Sequence, residues 1–251
     1  MIFRFLKVSR ANSLVLHLLV PLKHTHATHG ATPLVIMEAD RLNSQRWEIV
    51  EIIIQLMTSG VHSDDFNLVS ESVTWFREHL GKDHKPIQEV IDCGVVPRFV
   101  QLLSGQFNAP PDVQEKIVLE AAGALTNILV GEYNHVLCVV ESGSIPIFVN
   151  LMTHPNAEIR EQAILALGNV AGETPQLRNL VLEHNVLENL LAIVQKEIES
   201  PSANPHLGAV QSEPRQACFR LEAHITNHPH YTPFVIFQRP RYAFRRRPDR
   251  F

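Results

Sequence analysis

Ala121-Ala122-Gly123-Ala124-Leu125-Thr126-Asn127-Ile128 is restated as Ala163-Ile164-Leu165-Ala166-Leu167-Gly168-Asn169-Val170. The offset is 42 residues (169 − 127). A second phrase follows each copy: Cys138-Val139-Val140-Glu141-Ser142-Gly143-Ser144-Ile145-Pro146 and Leu180-Val181-Leu182-Glu183-His184-Asn185-Val186-Leu187. Gly143 and Asn185 keep the same 42-residue offset (185 − 143). A helical period in the low forties denotes a stacked array, in which each unit buries its apolar face against its neighbours. The functional question becomes which extended segment lies along the array.

Working outward, the chain from about Arg46 to Glu199 reads as helices joined by short turns. Val50, Ile53, Ile54 and Met57 mark one apolar face, and Phe66, Val69, Val73, Phe76 and Leu80 mark the next. A short helix is expected over 86–93. Gly94-Val95-Val96-Pro97 then turns into a helix packed by Phe99, Val100, Leu102 and Leu103, with proline tolerated in its first turn. A long helix begins at Asp112, which has capping-pair spacing to Glu115. Its stripe is Ile117, Ala121, Ala124, Leu125 and Ile128. The phrase repeats as a short helix near 134–142, a second from Ile145 to Met152, and a long one from about Ala157 to Ala171. A third unit starts near Gln176. Gly94 to Gly143 is 49 residues (143 − 94), seven over the period, and the excess falls at Gly105–Pro111. That turn-rich insertion is expected as a loop on one exposed face.

Composition agrees with a packed helical body: 45% of residues are hydrophobic and 19% charged. The net charge of −4 argues against bulk attraction to nucleic acid. Cys93, Cys138 and Cys218 are widely spaced and give neither a disulfide framework nor a zinc motif. Cys93 and Cys138 fall at apolar helix positions and are expected as buried thiols.

The ends differ from the middle. Residues 1–37 lack Asp and Glu but carry Arg4, Lys7, Arg10 and Lys23. Their apolar run from Leu14 to Val20 is far shorter than the roughly 20 residues that span a bilayer. A basic, acid-free start with such a run also has the composition of a targeting peptide. His24, His26 and His29 stand in an irregular stretch that does not favour a fixed metal site. From Ser200 onward seven prolines and a run of arginines, including Arg245-Arg246-Arg247, break the helical pattern. The expected division is an irregular segment over 1–45, helical repeats over 46–199 and an irregular Pro/Arg-rich tail over 200–251.

The repeats resemble the armadillo repeats of importin-α, the adaptor for cargo with nuclear localisation signals. The phrases that carry this are Gly94-Val95-Val96-Pro97-Arg98-Phe99-Val100, Glu120-Ala121-Ala122, Ala124-Leu125-Thr126-Asn127-Ile128, Ile145-Pro146-Ile147-Phe148-Val149, and Arg160-Glu161-Gln162-Ala163 through Ala166-Leu167-Gly168-Asn169-Val170-Ala171-Gly172. The resemblance implies an all-α, right-handed superhelical solenoid of about three repeats. In that family the third helix of each repeat lines a concave groove. An Asn there bonds the backbone of an extended peptide, and a Trp four residues earlier packs against cargo Lys or Arg.

Carried over by position, Asn127 and Asn169 match the asparagines, Gln162 a groove-side Gln, and Gly131 a Gly closing the long helix. Glu173 stands where the family has an Asp that pairs with the key cargo lysine. The tryptophan positions hold Gly123 and Leu165, and a Ser before the closing Gly is Val130. An amide offers both a donor and an acceptor to a strand-like backbone. Each lost cation–π contact removes roughly 0.5–2 kcal/mol, so basic peptides are expected to bind weakly. A cap or helix-to-helix hydrogen bond is the competing role for Asn127 and Asn169.

The resemblance implies a basic cargo peptide as partner, residence in cytoplasm and nucleus, and no cofactor, metal, nucleic acid or membrane. No basic segment like the family's importin-β-binding region is visible in 1–45, so that partner is not expected. Two other readings stay open: an armadillo scaffold for a different extended partner, and a truncated product without stable function. Fourteen histidines invite an enzymatic reading. The chain has no Gly-rich phosphate loop, nucleophile elbow or metal-binding pair at helical spacing to support one.

Overall fold

A computed structural model describes residues 48–82 and 85–199. Expectations about 1–45, 200–251, the His24/His26/His29 group, Cys218 and Arg245–Arg247 lie outside the described residues.

All regular structure among the described residues is helical. The order is α1 (48–61), α2 (Phe66–Leu80), α3 (Ile87–Asp92), α4 (Val96–Leu103), α5 (Pro111–Ile128), α6 (Tyr133–Glu141), α7 (Ser144–Leu151), α8 (Ala157–Glu173), α9 (Pro175–Leu182) and α10 (Val186–Glu199). The long helices α2, α5 and α8 pack in series, and the shorter helices of each unit pack against them. This is the stacked helical array expected from the repeat, in the armadillo arrangement that the resemblance implies. Among the described residues no helix is long and apolar enough to cross a membrane.

The second repeated phrase has a backbone cause. Gly94, Gly143 and Asn185 occupy corresponding positions and all adopt left-handed conformations, with φ of 75°, 81° and 58°. Each reverses the chain after a short helix and launches the next. A side chain is disfavoured there by sterics with its own backbone, and Asn is among the few that tolerate it. A Cβ built at Gly94 or Gly143 meets nothing within 4 Å, so backbone conformation alone calls for glycine.

Side-chain oxygens cap the starts of α2, α8 and α9. Asp65 caps α2 by accepting from Asn67 N–H at 3.0 Å. Asn156 caps α8 by accepting from Glu158 N–H at 2.8 Å and Ile159 N–H at 3.4 Å. Thr174 caps α9, accepting from Leu177 N–H at 3.2 Å, with Pro175 in the first turn. The expected Asp112–Glu115 capping pair does not form. Pro110 is the N-cap of α5 and Asp112 lies inside the first turn. Glu115 instead accepts from the side chain of Asn156, which ties α5 to the start of α8.

The core runs the length of the array. Phe76, Phe99 and Phe148 are fully buried, and Phe76 meets Phe99 edge-on at 5.4 Å. Ala121, Ala122, Ala124, Ala163 and Ala166 have no exposure, so α5 and α8 approach closely through small side chains. Residues 121–129 and 161–171 are buried on every face, which a single apolar stripe does not convey. The Gly105–Pro111 insertion also differs from a freely exposed loop: Phe107 is half-buried and stacks on Phe66 at 5.2 Å. Cys93 and Cys138 are free thiols, half-buried rather than fully buried. Cys93 accepts from Thr58 Oγ1 at 3.1 Å, while burial and then Glu141 raise the Cys138 thiol pKa.

A candidate peptide groove

The face to consider is the one shared by α2, α5 and α8. Asn127 and Asn169 hold equivalent places on α5 and α8, and each is 4% exposed. Asn127 Nδ2–H donates to the backbone carbonyl of Arg77 at 3.2 Å, which bridges α5 to the end of α2. Asn169 Nδ2 is buried without a hydrogen-bond partner. An unmet buried donor costs about 1–3 kcal/mol, and the few that persist in native proteins call for an explanation.

The remaining expected groove residues flank these two. Gln162 and Leu165 are buried on α8, two turns and one turn before Asn169, and Glu173 is half-buried at the helix end. Gly131 lies in the turn after α5, where its N–H donates to the Ile128 carbonyl at 2.9 Å. A Cβ there would collide with the His135 ring. His135 Nδ1 accepts from Glu132 N–H at 2.9 Å, and Nε2 faces Gln88 Oε1 at 3.2 Å, so Gly131 leaves room for a local turn lock. Asn127 and Gly123 thus form one rung with α2, and Gln162, Leu165, Asn169 and Glu173 belong to the next, on α8. Gly131 sits at the edge of the first.

Two residues of this face escaped the sequence reading. Arg77 of α2 lies against Gly123: a Cβ on Gly123 would stand 2.5 Å from Arg77 Nε and 2.8 Å from its Cδ. Arg77 Nη1 bonds Glu120 Oε1 at 3.0 Å, in a pair whose side chains are only 21% and 12% exposed. One signal was available. Glu120 precedes Asn127 by the same seven residues as Gln162 precedes Asn169. Another was volume, because a glycine at a position where the resemblance implies an indole leaves space that something must fill.

On the other side of α2, Trp75 and His79 stack at 4.0 Å. His79 Nδ1–H donates to the Trp75 carbonyl at 2.7 Å, while its Nε2 is buried without a partner. Its pKa is lowered from 6.5 to about 4, first by burial and secondarily by Lys82, against the opposing backbone bond to Trp75. Among the described residues no cluster of three or more His, Cys, Asp or Glu could hold a metal ion.

The armadillo/beta-catenin-like repeat family matches residues 83–130 and 134–172. Importin subunit alpha-2 of Arabidopsis thaliana is 47% identical over 137 residues, covering 54% of this chain and 24% of that protein. Importin subunit alpha-1b of Oryza sativa subsp. japonica is 47% identical over 136 residues, again 54% and 24%. Probable importin subunit alpha-A of Dictyostelium discoideum is 37% identical over 140 residues, 55% and 24%. The chain therefore spans about a quarter of the length of these relatives. Among solved structures, a designed armadillo repeat protein in complex with the peptide (KR)4 superimposes with a TM-score of 0.57. It has 18% identity and covers 88% of this chain and 84% of the designed one. At that identity the likeness bears on the fold alone. Together with the left-handed turn at corresponding positions of three units and the serial packing of α2, α5 and α8, these matches show armadillo repeats over 83–130 and 134–172 and a likeness of this part of the chain to importin-α subunits.

Proposed function

We propose that this chain is a peptide-binding adaptor of the importin-α kind, acting in nuclear protein import between cytoplasm and nucleus. Its groove takes an extended basic segment, and the second rung does most of the work. The observation that carries this is Asn169, whose buried amide nitrogen has no partner within the protein. The atom is closed to solvent as it stands, so a peptide carbonyl would satisfy it once the side chain turned its amide outward into the groove. Glu173, one turn further along α8 and half-buried, supplies a negative charge suited to a lysine or arginine of the peptide.

Binding is weaker than an aromatic-walled groove would give. Gly123 and Leu165 provide no indole face for a cation, and the Asn127 amide is already engaged by Arg77. Fluorescence anisotropy with a labelled Lys/Arg-rich peptide tests the reading. Saturable binding that weakens as salt rises is expected. An armadillo scaffold for a less basic partner is favoured by the Arg77–Glu120 pair, which neutralises one acidic group of the face. Preference for a neutral extended peptide over the basic one would select that reading instead.

A further inference from the structure

Three observations meet at Gly123. The Arg77 side chain lies so close to the Gly123 α carbon that any Cβ would collide with Nε, Cδ and Cγ, at 2.5, 2.8 and 3.3 Å. Glu120, three residues earlier on the same helix, holds the guanidinium at 3.0 Å. The second oxygen of that carboxylate, Oε2, is buried and has no partner. The two residues form a bed for a guanidinium group. The glycine supplies a flat surface for the planar cation and its stem, and the glutamate supplies the charge.

The same arginine also engages the rung through its backbone. Its carbonyl accepts from Asn127 Nδ2 at 3.2 Å and from Gly81 N–H at 3.1 Å. The side chain and main chain of one residue thus occupy both features of the first rung: the place for a cation and the amide for a backbone.

We propose that Gly123 and Glu120 form a guanidinium-binding site that Arg77 fills in cis, closing the first rung to a peptide cation and confining such cations to the rung at Asn169. This rests on the peptide-groove reading for its consequence, but the site itself does not. Arg77 is then a specificity-determining residue. Its removal exposes an acidic pocket, and a Lys or Arg of a bound peptide gains a second seat.

The full chain is compared as wild type, Arg77→Ala, and Arg77→Ala with Glu120→Gln. The first probe is ethylguanidinium, read as a thermal shift. Millimolar ethylguanidinium is expected to raise the melting temperature of Arg77→Ala by about 2 °C and to leave the other two unmoved. An equal response of all three overturns the proposal. The second probe is a labelled basic octapeptide. Arg77→Ala is expected to bind about tenfold tighter than wild type, and the double variant is expected to lose that gain.

Ethylguanidinium selectivity without peptide binding by any of the three upholds the site and removes the groove reading. Wild-type peptide binding that Arg77→Ala leaves unchanged overturns the closure. Should Arg77→Ala fail to fold, Arg77→Val keeps an apolar surface on α2 but is short enough to clear Gly123 and free Glu120, and it carries the same peptide comparison. Affinity equal to wild type in that variant overturns the proposal.

Discussion

Asn127 and Asn169 are equivalent in the repeat and equally buried, yet one amide is bonded within the protein and the other is not. The difference lies in their neighbours. Asn127 faces the end of α2, where the Arg77 carbonyl is available. At the corresponding place beside Asn169 no acceptor reaches Nδ2.

This contrast has a stability consequence. Asn127→Ala removes a cross-helix hydrogen bond and is expected to cost about 1 kcal/mol. Asn169→Ala removes an unmet donor and is expected to be close to neutral. Urea melts of the two variants check this. Equal losses would mean that Asn169 has a structural partner after all.

Placing an indole at position 123 is not a simple gain. Gly123→Trp must expel Arg77 from its seat and break the pair with Glu120. Overpacking of this kind costs roughly 1–3 kcal/mol. Combining it with Arg77→Ala is expected to recover part of that loss, which a double-mutant cycle reads as a favourable coupling. Additive effects of the two changes would show that Arg77 does not lie over Gly123.

Acid lowers stability through His79. Its folded pKa of about 4 lies below the unfolded value of 6.5, so between these the unfolded chain binds the proton more readily. Stability from this group is complete above pH 6.5 and falls as pH drops toward 4. The loss is roughly 2–3 kcal/mol at pH 4.5. His79→Leu should show a correspondingly smaller decline between pH 7.5 and 4.5 in denaturant melts. Parallel declines in both proteins would assign acid sensitivity to other groups.

The left-handed turns give a further check. Gly143→Ala places a side chain at φ 81° and is expected to cost about 1 kcal/mol, although nothing crowds the new Cβ. Asn185→Gly relieves the smaller penalty at φ 58° and is expected to be neutral or slightly stabilising. A melting temperature raised by Gly143→Ala would contradict the conformational role given to this turn.

Much of the fold was legible because the repeat writes the same physical requirement more than once. Gly143 and Asn185 share a sequence offset and a backbone conformation, and the alanines of the two long phrases mark where α5 and α8 approach closely. Local chemistry was read less well at Asp112, since Pro110 and Pro111 moved the helix start upstream of the expected cap. Phe107 was missed because its partner Phe66 is 41 positions away and outside any repeat relation (107 − 66). The candidate site was half legible. The two amides announced themselves by repetition, but the occupancy of Gly123 by Arg77 depends on how two helices stack. No spacing within one phrase encodes that.

The most direct test of the groove is an anisotropy titration of a labelled basic octapeptide against wild type, Asn127→Ala and Asn169→Ala. The account predicts saturable, salt-sensitive binding that Asn169→Ala weakens by about tenfold and Asn127→Ala leaves nearly unchanged. Absence of binding, or equal losses in the two variants, would contradict it.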